Sequence, residues 1–353
     1  MSLAQIARTL GLSVTTVSRA LGGFEEVALA TRERVRAEAA RIGYRANKTA
    51  RRLQSGRSEA IGLVLPANPG QFDDPFFLRL MAGIGPRLAA ADLDLIVMAA
   101  PPGPEELRAY QHLVHGRRVD GVLVARTRRH DDRISFLLDN NFPFVAHGRT
   151  QDPRPYAWVD TDGGAAMAEA TERLIALGHR RIALLNALPS FNYALDREAG
   201  WRRALRNAGL ADTLRAESPP TEAEGESAAR SLLQRPTPPT AILCATDRLA
   251  AGALRACIGS GLVVGHDVSV IGFDNLPFAS YIHPRLTTIE QPVEASGQMM
   301  ADMLLKLLAG ADPALLNATL PTRLIVRASD GPAPNQQETT PGETHATPVP
   351  ARS

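Results

Sequence analysis

The sequence predicts an α/β protein in two parts: an N-terminal three-helix head of the helix-turn-helix type, and a two-lobed body built on doubly wound parallel sheets. Three observations predict it. Residues 2–21 read as two short helices joined at a glycine, with a third helix close behind. Between 59 and 328, short apolar runs alternate with helical patterns in two successive series, as parallel βαβ units do. Residues 1–58 carry eleven Arg and Lys against four Glu and no Asp, a surplus of +7, whereas the chain carries +2 and the remainder therefore −5. A basic head on an acidic body suits a head that meets nucleic-acid phosphates.

A length of 353 residues suggests two or three domains. The expected divisions are a head at 1–45, a connecting segment at 46–58, a body at 59–328 and a disordered tail at 329–353. Within the body, the first lobe takes about 59–160 and 290–320, and the second about 161–289 and 321–328.

In the head, Ser2 and Gln5 are spaced as a capping box before the apolar stripe Leu3, Ile6, Ala7 and Leu10. Gly11 and Leu12 make the turn. Ser13 then caps a second helix whose apolar side is Val14, Val17 and Leu21. Its other side offers Thr15, Thr16, Ser18 and Arg19, and a guanidinium can bond guanine O6 and N7 together in the major groove. A third helix over Ala30–Ile42, with Val35, Ala39 and Ile42 on one side, closes the core. The basic segment Asn47–Gly56 holds one large apolar residue, Leu53, and Ala50–Gln54 can form a single helical turn. Two such turns on a bent minor groove could wedge their leucines between base steps.

In the body, Ile61–Leu65, Leu93–Met98, Val119–Val124 and Phe144–Ala146 read as strands of the first series. Ile182–Leu185, Ala241–Cys244 and Val268–Ile271 form the second, with a helix expected over Arg197–Ala208. Crossings between lobes are expected near 160–162 and 289–292, and beyond Ala328 the apolar period ends. Cys244 and Cys257 fall on a strand and a helix and read as buried structural thiols. No stretch reads as a signal peptide or membrane span, so a cytoplasmic protein is expected.

Taken together, these stretches resemble the lactose-repressor (LacI/GalR) family of bacterial transcription regulators. The resemblance spans about Ser2–Arg327 and is carried by TVSRAL, TRERVRAEAARIGYRANKTARRLQSGRSEAIGLVLP, DPFF, RRVDGVLVA, VDTDGGAAMAEATERLIALGHRRIALL, CATDRLAAGAL, DVSVIGFDN and PRLTTIEQP, in that order. It implies a periplasmic-binding-protein-like body that binds a small effector. It also implies that Val14, Thr15 and Arg19 face bases and that Leu53 is a minor-groove wedge. Thr16 joins the base-reading set by its place on the helix; Ala50 and Arg51 accompany Leu53, and Lys48 and Arg52 are expected on phosphates.

In open α/β sheets, ligands sit beyond the carboxyl ends of the strands. The residues there include Asp74 and Phe76, then Arg126 and His147, then Arg197. Asp247, Phe273, Asp274 and Gln291 complete the set, and the resemblance assigns pocket roles to Arg197, Asp247 and Asp274 in particular. Carboxylates, guanidiniums and aromatic faces suit a sugar, whose vicinal hydroxyls pair with Asp and Arg while its apolar face stacks on Phe. A purine or nucleoside could use the same groups. Asp74 and Asp247 could also cap the helices that follow them.

Asp160-Thr161-Asp162 could recruit a metal, and His147 with Asp274 could act as acid and base. The chain shows no phosphate-cradling glycine loop, nucleophile elbow or paired His-Cys spacing, so no enzyme, cofactor or metal is expected. A transport binding protein is the other class the body suits, but it would need an export signal. The expectation is a homodimeric repressor on double-stranded operator DNA, away from membranes, switched by an effector, most simply a carbohydrate, that closes the lobes.

Overall fold

The computed structural model describes residues 2–22, 24–44, 56–67 and 74–334. The head is three helices: α1 (Leu3–Leu10), α2 (Val14–Leu21) and α3 (Leu29–Arg41). Ile6, Ala7, Val17, Ala20, Val27, Val35 and Ala39 form its core. Gly11 ends α1 at φ 65°, a left-handed turn that glycine adopts without Cβ strain. Ser13 caps α2 by accepting from the Thr16 amide at 2.9 Å. The expected capping box on α1 does not form: Ser2 stands at the N-cap without a side-chain bond, and only its carbonyl is used. Val14 also leaves the expected apolar stripe, being 47% exposed while Val17 is fully buried.

The body holds two six-stranded sheets. The first contains β1 (Ala60–Pro66), β2 (Asp94–Ala100), β3 (Gly121–Val124), β4 (Phe144–His147), β5 (Ala157–Thr161) and β11 (Asn317–Leu320), in the order β11-β5-β4-β3-β1-β2. The second contains β6 (Ile182–Asn186), β7 (Arg215–Glu217), β8 (Ala241–Cys244), β9 (Ser269–Asp274), β10 (Thr287–Glu290) and β12 (Arg323–Ile325), in the order β12-β10-β9-β8-β6-β7. Among these pairings only β10 with β12 is antiparallel. The chain thus passes between sheets three times, after β5, after β10 and between β11 and β12.

Both faces of each sheet are covered, which is why the central strands are apolar throughout. Ile61, Leu63 and Leu65 of β1 face α4 (Pro75–Ala90) and α11 (Val293–Leu308), while Ala60 and Val64 face α5 (Pro104–His115) and α6 (Asp132–Asp139). In the second lobe, Leu184, Ile271 and Phe273 face α7 (Gly163–Ala176) and α8 (Asn192–Asn207), whereas Leu185, Cys244 and Val270 face α9 (Glu222–Leu233) and α10 (Asp247–Gly259). Cys244 and Cys257 are both buried thiols. No helix among the described residues is long and apolar enough to cross a membrane.

The chain enters the first lobe through a fixed point. Asp120 accepts from the Ser58 amide and hydroxyl at 2.8 and 2.9 Å and from the Glu59 amide at 2.8 Å. At the other end, the expectation of a disordered tail from 329 onward needs correction. Ser329 is fully buried, donating its hydroxyl to Val270 O at 2.6 Å and accepting from Thr287 N at 2.8 Å. Asp330 pairs with Arg173 at 2.7 Å, and the Ala333 amide reaches Leu177 O at 2.8 Å. Hydrogen bonds, which leave no hydrophobic period, hold 329–334 to the second lobe; residues 335–353 lie outside the described residues.

Helix pairs cover the sheets at backbone contact. A Cβ on Gly297 would stand 2.3 Å from Leu80 O, whereas one on Gly85 would meet nothing within 4 Å. Gly297→Ala should therefore cost about 1–3 kcal/mol by overpacking, and Gly85→Ala should be neutral or stabilise by up to about 1 kcal/mol. Urea unfolding midpoints read both, and equal effects would contradict the close α4–α11 approach.

Candidate functional site

Two surfaces concentrate the expected residues. On α2, Val14, Thr15 and Arg19 are exposed together, as a helix laid against DNA requires. Thr16 is half-buried, and its hydroxyl is 2.7 Å from the capping Ser13 Oγ, so it is engaged within the helix start. Arg19 Nη1 donates to Glu26 Oε2 at 3.0 Å, with both side chains more than half exposed. Such a pair is worth about 0–1 kcal/mol, so it orients the guanidinium without withholding it from a base. Lys48, Ala50, Arg51, Arg52 and Leu53 lie outside the described residues.

The second surface is the cleft between the lobes, lined by residues of both. It is closed on two sides. The Arg129 amide bonds Ser190 O at 3.3 Å and the Asn192 amide bonds Thr127 O at 3.0 Å, joining the loop after β3 to the start of α8. Arg79 of α4 reaches Asp274 O and Asn275 O, each at 3.2 Å.

Arg197 comes from the second turn of α8 and is 5% exposed. Here the structure corrects the expected helix start, which lies at Asn192, not at Arg197. The guanidinium stacks on Phe273, 3.4 Å from the ring centroid, and Tyr193 lies 4.7 Å away. Nη1 donates to Ala245 O, Nη2 is 4.0 Å from Asp274 Oδ1, and the buried Nε has no partner. Desolvation pulls its pKa down, against the attraction of Asp274. Asp274 sits at the end of β9 with φ 120° and accepts from Gln291 Nε2 at 2.6 Å. Burial pushes its carboxyl up to about 8.

From the first lobe come Phe76, Arg126 and His147. Asp74 caps α4 by accepting from the Phe76 amide at 2.9 Å and also pairs with Arg126, so it supports the wall. Arg126 has φ 53° and a buried Nη1 without a partner. The His147 ring lies edge-on to Phe76 at 5.3 Å, its Nε2 is buried and unpartnered, and desolvation lowers its pKa.

Besides Asp74, which stands behind the wall, two further expected ligand residues do not face the cleft. Phe273 is fully buried beneath Arg197, in the core with Trp201 and Ile271. Asp247 is neither cap nor lining residue: Thr246 caps α10, and the Asp247 carboxylate turns inward to Leu276 N and Thr288. The cleft also contains Tyr193 and Asp196, which sequence reasoning missed. Starting the helix at Asn192 puts Tyr193, Asp196 and Arg197 at i, i+3 and i+4, one face, and that spacing was the available signal. No group of three or more His, Cys, Asp or Glu among the described residues is arranged to hold a metal ion.

Comparisons with known proteins bear on both surfaces. Residues 2–47 match the family described as bacterial regulatory proteins, lacI family, and residues 58–326 match periplasmic binding proteins and the sugar binding domain of the LacI family. The chain is 42% identical over 321 residues to the HTH-type transcriptional regulator RafR of Escherichia coli, covering 90% of this chain and 95% of that one. Among solved structures, the transcriptional regulator CelR–cellobiose complex has a TM-score of 0.73 at 30% identity, covering 93% of this chain and 99% of the other. The lac repressor dimer bound to operator and the anti-inducer ONPF has a TM-score of 0.78 at 29% identity, covering 94% and 99%.

The Asp274 carboxyl has a measurable consequence. Its folded pKa of about 8 lies above an unfolded value of about 4, so the folded state holds a proton that the unfolded state has released. Stability should therefore fall as pH rises through that window, by up to about 1.4 kcal/mol per unit, and Asp274→Asn should remove this slope. Thermal unfolding of both ligand-free proteins from pH 5 to 9 should show the variant gaining on the wild type; a constant difference would contradict the buried, raised carboxyl.

Proposed function

The chain belongs to the LacI family of bacterial regulatory proteins, and we propose that its cleft takes a neutral carbohydrate that alters operator affinity. As a member it is a DNA-binding transcriptional regulator with a helix-turn-helix head. One observation carries the effector reading. Arg126 Nη1, Arg197 Nε and His147 Nε2 are buried, face one cleft and lack partners, beside the Asp274 carboxyl, which has only one donor. A cleft that needs acceptors for two guanidiniums and donors for Asp274 is met by hydroxyls, which are both at once. Each bond to a charged group is worth roughly 1.5–3 kcal/mol. Phe76 and Tyr193 offer apolar faces for the sugar ring.

In this reading Val14, Thr15 and Arg19 read base edges. A head of three short helices covers one half-site, so the regulator acts as a homodimer and, in repressor fashion, holds an operator with two heads. The Leu53 pair enters the minor groove between them. Arg19→Ala should cost roughly 1–3 kcal/mol on the preferred operator and little on random DNA. Anisotropy titrations on both duplexes measure this; retained operator preference would remove Arg19 from base reading.

The effector is tested by calorimetry of the full chain with cellobiose, maltose, lactose, melibiose, glucose, galactose, adenine and hypoxanthine. At least one sugar should bind, and Arg197→Ala should abolish that heat together with the effector response of the operator complex. Purine binding without sugar heat would overturn the carbohydrate class. Undiminished binding by the variant would overturn the site.

A further inference from the structure

Asp247 is ionisable, fully buried and turned away from the cleft, so its place in the structure needs another account. It is the first residue of α10, and its carboxylate reaches across β9 toward β10. That crossing requires a bare backbone below it. A Cβ on Gly272 of β9 would stand 2.2 Å from Asp247 Oδ1, so the carboxylate lies directly over that glycine's bare backbone and would have to shift to admit a side chain. Oδ2 accepts from the Leu276 amide at 2.7 Å, and Oδ1 accepts from the Thr288 hydroxyl. Thr288 Oγ1 in turn accepts from the Asn275 amide at 3.4 Å.

These bonds converge on an unfavourable piece of backbone. Asp274 and Asn275 have φ values of 120° and 49°, in the region that side-chain-bearing residues avoid. Such a pair persists only when its surroundings over-determine it. Asp247 grips the residue after the pair directly and the pair's second residue through Thr288, while Asn275 Nδ2 donates to Glu290 at 2.8 Å. Asp274 is therefore held at the strand end with its carboxylate toward Arg197 and Gln291. Both partners of Asp247 are neutral donors, which fits a carboxylate placed for its two acceptor oxygens and not for an ion pair.

We propose that Asp247 is a positioning residue: the Asp247–Gly272–Thr288 arrangement clamps the 274–276 turn and so presents the Asp274 carboxylate to the effector without touching it. The proposal rests on the reading that Asp274 contacts the effector, and its test has one arm that needs no effector. In that arm, hydrogen exchange of the full chain is followed in the peptide covering 274–278. Asp247→Ala and Gly272→Ala should each speed exchange of the 275 and 276 amides at least tenfold, while Asp274→Ala leaves them protected. Asp247→Asn keeps an acceptor oxygen for Leu276 and should restore most of the protection, which a general loss of folding would not. Unchanged exchange in both Asp247→Ala and Gly272→Ala would overturn the clamp.

The second arm is a double-mutant cycle by calorimetry with cellobiose as the probe. Asp247→Ala should weaken cellobiose at least tenfold, yet weaken it no further in an Asp274→Ala background. Independent, additive losses would mean that Asp247 acts on the sugar by another route and would overturn the proposal. If Asp274→Ala alone left sugar binding intact, the effector reading of Asp274 would fail, and the exchange arm would still decide whether the clamp exists.

Discussion

A guanidinium taken out of water keeps its charge only if neighbouring groups replace the hydration it has lost, and Arg197 receives only part of that replacement. It has one carbonyl, two aromatic faces and a carboxylate at 4.0 Å, while its Nε has nothing. Burial acts on both members of the Arg197–Asp274 pair in the direction that discharges them, lowering the arginine and raising the aspartate. Folding tolerates this because the neighbours leave little freedom to relax: Phe273 fills the space beneath, and the strained 274–275 backbone is gripped by bonds from α10, β10 and α4. In the proposed reading, another molecule's hydroxyls complete the site.

The same incompleteness gives the two lobes a reason to meet. Arg126 and His147 come from the first lobe and Arg197 and Asp274 from the second, so a ligand that satisfies all four must touch both. The Thr127–Asn192 and Arg79–Asp274 bonds hold the cleft shut from opposite lobes. A ligand that binds one lobe arrangement better than another shifts their populations by that difference in affinity and no more. Asp120 supplies the connection outward, because its three bonds to Ser58 and Glu59 fix the incoming chain to the first lobe. Displacement of that lobe is therefore displacement of the point from which the head is suspended.

What was legible in the sequence was what local rules decide. The Ser13 cap, the Gly11 turn and the three- and four-residue spacing locate α1 and α2, and continuous apolar runs locate the central strands because helices cover both faces. The strand-end rule also found Arg126, His147, Arg197, Asp274 and Gln291. It was less informative where tertiary contacts decide. The start of α8 has Phe191 at its N-cap with no side-chain bond, so no capping residue announced it, and Tyr193 and Asp196 were lost with it. Asp247 was visible as a residue, but the direction of its side chain follows from the gap left by Gly272. β10 and the 329–334 segment are polar, held by Thr287, Ser329 and Asp330 hydrogen bonds that no hydrophobic period records.

In the proposed regulator the cleft and the head share one equilibrium, so that completing the buried polar groups between the lobes alters the grip on DNA. Thermodynamic linkage makes this quantitative: the factor by which the sugar changes the operator dissociation constant must equal the factor by which operator changes the sugar dissociation constant. The most direct measurement titrates operator against the full chain at rising sugar concentration, and sugar against the operator complex, under one set of conditions. The two reciprocal factors should be of the same size, roughly 5- to 150-fold. A sugar that binds the cleft tightly while the operator dissociation constant stays unchanged would contradict it.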